Sequence, residues 1–545
     1  MPRPRVDPRW AALVVAALVV GGASVAVSPS LGYDSWGWMT WGRELRHGTL
    51  DTLSGPSWKP GPSLVAAVIS VFTSRQEPGV WLAIVRAAAL VSLAVTFVAT
   101  RDLAAWTIAG RSPRDLGPAA WGRGAPGDGA PANGVQGDQG VATAAGKRAA
   151  AWASTFGAIV ATLLVATSAD LVKTAMYGSS EPFLVLGAVT ALLLHVRGRP
   201  LGVVLALALT GLTRPEAWVI CGLYALTLLP HGTLRTRAAA IAGTLVAPVV
   251  WLWLDWIGSG NLSQSADTAE HLTAGSAARA AFPAGEVFLR GSGTLILPGL
   301  VLVVGAVVWA AWRRDRLLLA LTGASLLWTS MIAVQAELGL SGDRRYQAGC
   351  AAIMSVVAGV GVARGVRWLA GRGHEAPAPD AATSAAGGTP ADSAPPARPP
   401  GAMVARGPGR AATAAAGALL VVLVGFSLVP LRSDAREIGV SREKDRQLRE
   451  LRRAVTAAGG PSRVLALGTP VVNPWMQTAL AWSLGTQIPR VQAAWSSTKR
   501  NPRWSPPAVL FIAPRHYAGT LPAIPTGAWT HQLAREGRWR VLEAR

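Results

Sequence analysis

Asp34 stands in the run Leu31-Gly-Tyr-Asp-Ser-Trp-Gly-Trp38, a single carboxylate among aromatic rings. A carboxylate there could take a proton from a hydroxyl about to attack an electrophile. It would serve equally as a helix cap within an interfacial aromatic belt. Lys59, in Trp58-Lys-Pro-Gly-Pro62, is a cation whose neighbouring prolines restrict the chain. Such a cation suits a lipid phosphate, or simply snorkels to headgroups. Arg214 and Glu216 flank Pro215 inside an apolar stretch, with Glu181 a second candidate partner for Arg214. Arg344 and Arg345 could clamp phosphate oxygens by bidentate bonds, beside Tyr346, or rest as loop charges paired with Asp343. Asp51, Asp170, Lys173 and Glu337 complete the set of charges that interrupt or border apolar blocks. Ionisable groups at membrane depth are costly and mark function. Trp36, Trp38, Trp41 and Trp58 crowd one segment of a chain with 23 tryptophans. Their rings could stack on sugars, although interfacial anchoring is the commoner use.

Other chemistries lack their residues. His47 and His271 are isolated, and no metal-ligand spacing is present. Ser179 and Ser180 have no nearby His, so a hydrolytic triad is unsupported. No phosphate-binding glycine loop of the P-loop kind occurs, which argues against a nucleotide-driven pump.

These residues need elements to hold them. Apolar blocks long enough to cross a bilayer, about 20 residues each, recur along the chain. Spans are expected at 10–27, 80–99, 151–167, 182–196, 238–257, 293–312, 317–334, 347–363 and 411–429. Residues 63–72 are too short to span and read as a re-entrant or juxtamembrane helix. Residues 201–229 read as two short helices meeting at Thr213-Arg-Pro-Glu216, because Pro215 breaks a helix ladder and Arg235 and Arg237 then stay inside. About eleven transmembrane helices result, with the N-terminus cytoplasmic and the tail outside. On this map residues 28–62 form an outer loop, and Asp34, Lys59, Asp170, Glu181, Arg214, Glu216 and Arg344–Tyr346 face outward.

Residues 101–148 and 371–410 are Gly-, Ala- and Pro-rich and are expected to be disordered cytoplasmic loops. The last span, 411–430, leads to a tail at 431–545. There a charged helix (434–457) and buried strands (464–467 and 508–512) are expected in a small α/β domain. The tail is rich in arginine, but the positive-inside rule weakens for long translocated segments.

Of the 545 residues 51% are apolar and 15% charged, against about 25% charged in soluble domains, which excludes an ordinary soluble enzyme. The net charge is +22. Because basic residues flank the apolar blocks, this points to a membrane surface and away from nucleic acid. Cys221 and Cys350 both lie in apolar stretches, so no disulfide framework is expected.

Taken in order, the outward pieces resemble the GT-C superfamily of polytopic glycosyltransferases, in particular protein O-mannosyltransferases and lipid A aminoarabinose transferases. The resemblance covers roughly residues 10–365. It rests on Asp34 soon after the first span, Gly42-Arg-Glu-Leu-Arg-His-Gly48, and Trp58-Lys-Pro-Gly-Pro-Ser-Leu64, which is similar to a Lys-Pro-Pro-Leu segment. Arg86, Tyr177-Gly-Ser-Ser-Glu-Pro-Phe183, Gly211-Leu-Thr-Arg-Pro-Glu216 and Arg345-Tyr346 follow in the family's order. Three positions depart from the pattern: Ser35 where relatives often have Glu, Gly61 in place of a second proline, and Glu181 where Asp is frequent.

The resemblance implies a GT-C-like transmembrane domain over 1–370 and a sugar donor carried on polyprenyl phosphate. It further implies inverting transfer to an envelope glycan, lipid or protein on the outer face of the plasma membrane. Asp34 would be the general base. Lys59, Arg214, Arg344, Arg345 and Tyr346 would hold the donor phosphate. Glu181, Glu216, Asp170, Trp36, Trp38 and Trp58 would orient the acceptor or support the cations. Some relatives use a divalent cation and others do not. Two other readings fit the same residues: a lipid or solute transporter that makes no bond, and a scaffold whose tail binds wall polymer.

Overall fold

The structure is a computed structural model; it describes residues 7–73, 77–109, 144–168, 170–269, 275–372, 410–494, 505–513 and 529–545. The helices, in chain order, are α1 (Pro8–Val25), α2 (Tyr33–His47), α3 (Pro60–Phe72), α4 (Glu77–Ile108), α5 (Ala144–Ala166), α6 (Leu171–Met176), α7 (Glu181–Val196), α8 (Pro200–Gly211) and α9 (Glu216–Leu228). They continue with α10 (Leu234–Ser259), α11 (Gln264–Ala269), α12 (Pro283–Ser292), α13 (Leu297–Arg313), α14 (Arg316–Glu337), α15 (Ala348–Arg372), α16 (Arg410–Ala457), α17 (Gly460–Leu467) and α18 (Gln477–Leu484). Among the described residues seven of these are long and apolar enough to cross a membrane: α1, α4, α5, α10, α14, α15 and α16. An eighth span is available if α12 and α13, bent by 100°, count as one, and α3, α7, α8 and α9 are shorter apolar helices. The chain is an all-α multi-pass membrane protein with a small C-terminal α/β domain.

Proline and glycine set the local breaks. Pro60 and Pro62 start α3 and Pro182 starts α7, first-turn positions where a missing N–H costs nothing. Pro215 caps α9, so α8 and α9 are separate helices meeting at residues 212–215, as their sequence implies. Where α5 crosses α15, a Cβ on Gly157 would sit 2.3 Å from the Gly359 carbonyl, so small residues there permit close helix packing.

Several expected boundaries move. Residues 28–62 are not simply a loop: they contain α2, closed by Gly48 at φ 67°, whose N–H bonds the Glu44 and Leu45 carbonyls. Residues 101–108 continue α4, because Asp102 pairs with Arg197 at 3.1 Å and lets the helix run past its apolar block. Residues 144–148 already belong to α5. The rest of the two expected disordered loops, 110–143 and 373–409, lies outside the described residues. The expected strand at 464–467 is helix, since Pro461 opens α17 and Gly468, at φ 150°, breaks it before the strand begins. The last span and the charged helix are one element, the 48-residue α16, which passes through Pro430 without ending.

Among the described residues the tail forms one five-stranded sheet of order β2-β1-β3-β5-β4. Its strands are β1 (Thr469–Val472), β2 (Gln492–Ala493), β3 (Ala508–Ile512), β4 (Thr530–Glu536) and β5 (Trp539–Ala544). β1 is parallel to β2 and β3, while β5 is antiparallel to β3 and β4. This sheet is not a separate body. A single apolar core runs from Trp38, Trp41, Trp58 and Leu82 into Leu451, Leu480, Phe511 and Trp539.

Candidate functional site

Lys59 occupies the N-cap of α3 with extended backbone, φ −144°, as a residue before proline prefers. The start of α3 is held against the α8–α9 junction: the Gly61 N–H donates to the Leu212 carbonyl at 2.8 Å. A proline at 61 could not donate, and a Cβ there would lie 2.8 Å from that same oxygen. The departure from Lys-Pro-Pro therefore has a local structural reason. It places Lys59 beside Arg214.

Asp34, in the first turn of α2, is held from the other side. Ser35 Oγ lies 2.8 Å from the carbonyls of both Tyr177 and Gly178, and the Gly32 N–H donates to Tyr177 O at 2.8 Å. Ser35 thus ties α2 to the turn that begins α7, a task that a Glu at that position would not perform. Trp81 Nε1 donates to the Gly178 carbonyl as well, at 2.8 Å. Arg86 adds hydrogen bonds to the carbonyls of Ser28, Ala175 and Met176 and to Ser24 Oγ.

These anchors bring distant charges together. Arg345 Nη2 lies 3.0 Å from Asp34 Oδ2, and Arg345 Nε lies 3.3 Å from Asp343 and 3.9 Å from Glu181. Arg214 Nη2 donates to Glu181 Oε1 at 2.9 Å, and its guanidinium lies 3.5 Å from the Tyr346 ring centre. Lys59 Nζ donates to Ser180 Oγ at 3.0 Å and sits 5.1 Å from the Trp38 ring. Lys59 and Arg214 are each only 6% exposed and Glu181 is fully enclosed, whereas the Asp34 side chain keeps a fifth of its surface open.

Two features make this cluster more than packing. Among the described residues Lys59 has no salt bridge within 4 Å, so its ammonium has donors to spare. Buried Arg214 Nε, Arg345 Nε and Glu181 Oε2 likewise have no hydrogen-bond partner. Unsatisfied buried donors on cations are costly and suit an anion that brings acceptors. Burial, and then the nearby Arg214 cation, push the Lys59 ammonium down to about 7.

Other expected site residues are placed differently. Arg344 is not in the cluster; it grips Asp170 bidentately at 2.9 and 3.1 Å. Lys173 pairs with Glu437 of α16 at 2.8 Å, and Glu337 accepts the Ala284 N–H at 2.8 Å. Glu216 is buried near Arg214, with Oε2 unpartnered. Trp36, Trp38 and Trp58 are enclosed: Trp58 stands edge-on to Trp41, Trp38 to Trp81, and Trp36 tilts against Trp482. Their rings serve the core and are closed to a stacking ligand. Among the described residues no group of three or more His, Cys, Asp or Glu is placed to hold a metal ion; the carboxylates of this cluster face guanidinium groups.

Sequence reasoning missed Ser180, the hydrogen-bond partner of Lys59. Its signal was its place at the N-cap of a proline-started helix. It also missed the bracing of α2 by the tail, where Tyr33 OH donates to Gln477 Oε1 at 3.2 Å and Thr478 Oγ1 to Tyr33 O at 2.9 Å.

Two solved structures are similar to this chain. They are crystal structures of ArnT from Cupriavidus metallidurans, one bound to undecaprenyl phosphate and one in the apo state. Their identities to this chain are 15% and 14% and their TM-scores 0.48 and 0.47, each over 98% of both chains. No family model matches the sequence, and no curated protein matches it.

Proposed function

We propose that the chain transfers a sugar from a polyprenyl-phosphate carrier to a hydroxyl of a cell-envelope glycan, lipid or protein, on the extracytoplasmic side of the plasma membrane. One observation carries the reading. Buried Lys59 and Arg214 and part-buried Arg345 gather around the enclosed end of α7, where Lys59 meets Ser180 and both arginines face Glu181, and Arg345 alone also lies within ion-pair distance of Asp34, a carboxylate that solvent can reach. This is the charge pattern of a site that binds a phosphate and activates a hydroxyl beside it. The order of motifs from Asp34 to Tyr346 supports the same class.

The donor phosphate lies among Lys59, Arg214 and Arg345. It supplies the acceptors that the orphaned N–H groups lack. Taking Arg345 from Asp34 frees that carboxylate, so donor binding and base activation are coupled. Asp34 then removes the acceptor proton while the acceptor oxygen attacks the anomeric carbon. The bond from that carbon to the phosphate oxygen breaks, and its electron pair leaves with polyprenyl phosphate. Attack from the face opposite the phosphate inverts the anomeric centre. Lys59, Arg214 and Arg345 stabilise the charge that grows on the departing phosphate. Glu181 orients Arg214, and the Tyr346 ring stacks beneath it.

The test is a panel of labelled polyprenyl-phosphate sugars incubated with purified protein and envelope fractions. The wild-type chain yields a glycosylated product, and Asp34→Asn lowers the rate by a factor of about 100 or more, the scale of a lost general base. No product from any donor would overturn the proposal. Movement of the lipid with no bond made would favour a transporter.

A further inference from the structure

The tail has a feature that the transfer chemistry does not use. Trp475 follows β1 directly, in a single 3₁₀ turn over Pro474–Met476, with its backbone N–H donating to Asn473 Oδ1 at 2.9 Å. It is 47% exposed, whereas Trp36, Trp38, Trp41 and Trp58 are enclosed. Its ring meets Tyr33 edge-on, with centres 6.1 Å apart and planes at 80°. Tyr33 immediately precedes Asp34. The two side chains are close enough for the Asp34 charge to act on the Tyr33 phenol, which burial, with that charge, raises above its ordinary range.

The position is also the functional end of the sheet. β1 lies between β2 and β3 and is parallel to both, so the chain leaves β1 to one side and later returns on the other. Open parallel sheets take ligands outside the carboxyl ends of their strands at such a reversal. Trp475 stands at the carboxyl end of β1. The arrangement is locked. Gln477 Nε2 donates to Ser54 Oγ at 2.8 Å and to Val491 O at 2.7 Å, and Gln477 Oε1 receives the Tyr33 hydroxyl. Strand end, aromatic ring and α2 therefore form one rigid unit.

We propose that Trp475, braced by Tyr33, is a specificity-determining platform for the sugar of a glycan acceptor, presenting the acceptor hydroxyl to Asp34. The C–H face of a pyranose or furanose packs on an exposed indole, while polar groups at the rim fix its orientation. This assigns the C-terminal domain to the acceptor. The donor stays with Lys59, Arg214 and Arg345, at the ends of the apolar helices. The inference rests on the transfer reading above.

The experiment compares wild type, Trp475→Ala and Trp475→Phe in the full chain. The acceptor probe is oligosaccharide released from the cell envelope by mild acid. In the transfer assay Trp475→Ala raises the half-saturating oligosaccharide concentration about tenfold, the scale of a lost aromatic contact. It leaves the half-saturating donor concentration unchanged, and Trp475→Phe recovers most of the loss. An unchanged acceptor dependence, as for a ring that only anchors the domain at the membrane interface, would overturn the platform. So would donor and acceptor dependence rising together. If the wild type transfers nothing, the transfer reading has failed. Binding of the same fluorescently tagged oligosaccharides to the purified chain then decides the platform separately. Binding by wild type that Trp475→Ala weakens about tenfold supports it. Equal binding by both, or none by the wild type, refutes it.

Discussion

Lys59 shows how one side chain carries both cost and use. An enclosed ammonium loses hydration, and Arg214 and Arg345 add like charge; Glu181 and Asp34 oppose them only in part, so the proton is held to about pH 7. The cation is therefore present below about 7 and absent above it. A phosphodiester donor has no titration of its own in this range and binds the charged form. The half-saturating donor concentration should rise with pH above 7, by up to about tenfold per pH unit. Lys59→Arg keeps its charge and should flatten that rise, which steady-state kinetics between pH 6 and 9 would register. At this scale the sequence was informative, because it marked Asp34, Lys59, Glu181, Arg214, Arg345 and Tyr346 as a group. It was silent on which arginine would face inward. Arg344 and Arg345 are chain neighbours in one 3₁₀ turn, so their side chains diverge, one to Asp170 and the other to Asp34.

At the scale of elements, proline and glycine were the legible signals and continuity was the illegible one. Pro60, Pro182 and Pro215 announced the starts of three short helices, and the structure has them there. Nothing local announced that α16 would run through Pro430, because its continuation depends on packing against the sheet. The helix α2 was hidden by its composition: polar residues, two glycines and four aromatic residues read as loop, yet it is stabilised by burying its tryptophans against α18 and α4. Arg86 shows what such long-range contacts are worth. It binds carbonyls of Ser28, Ala175 and Met176, which lie just before α2 and just before the turn into α7, so it fixes the two segments that carry Asp34 and Glu181. Arg86→Met leaves buried carbonyls without donors, at about 1–3 kcal/mol each. A clear fall in unfolding temperature is expected, together with a fall in transfer rate. An unchanged melting curve would show that the clamp is dispensable.

The whole molecule joins a membrane bundle to a C-terminal domain through one apolar core, so the tail braces the helix that carries Asp34. Long-range packing of this kind leaves no mark in composition, which is why the tail read as an appendage. Sidedness is directly measurable, since Cys221 and Cys350 are both buried and give a silent background. Gln532→Cys on β4 should react with a membrane-impermeant maleimide in intact cells. Arg235→Cys in the first turn of α10 should react only after permeabilisation. The reverse pattern would place the charged cluster on the cytoplasmic side and remove the envelope acceptor.

The central claim is that the cluster binds a lipid phosphate and that Asp34 then acts as a base. The most direct measurement sets undecaprenyl phosphate affinity beside transfer rate for Asp34→Asn in purified full-length protein. Because Asp34 competes with the phosphate for Arg345, the variant should bind the lipid at least as tightly as wild type while transferring almost no sugar. Loss of lipid binding together with transfer, or transfer at the wild-type rate, would contradict the account.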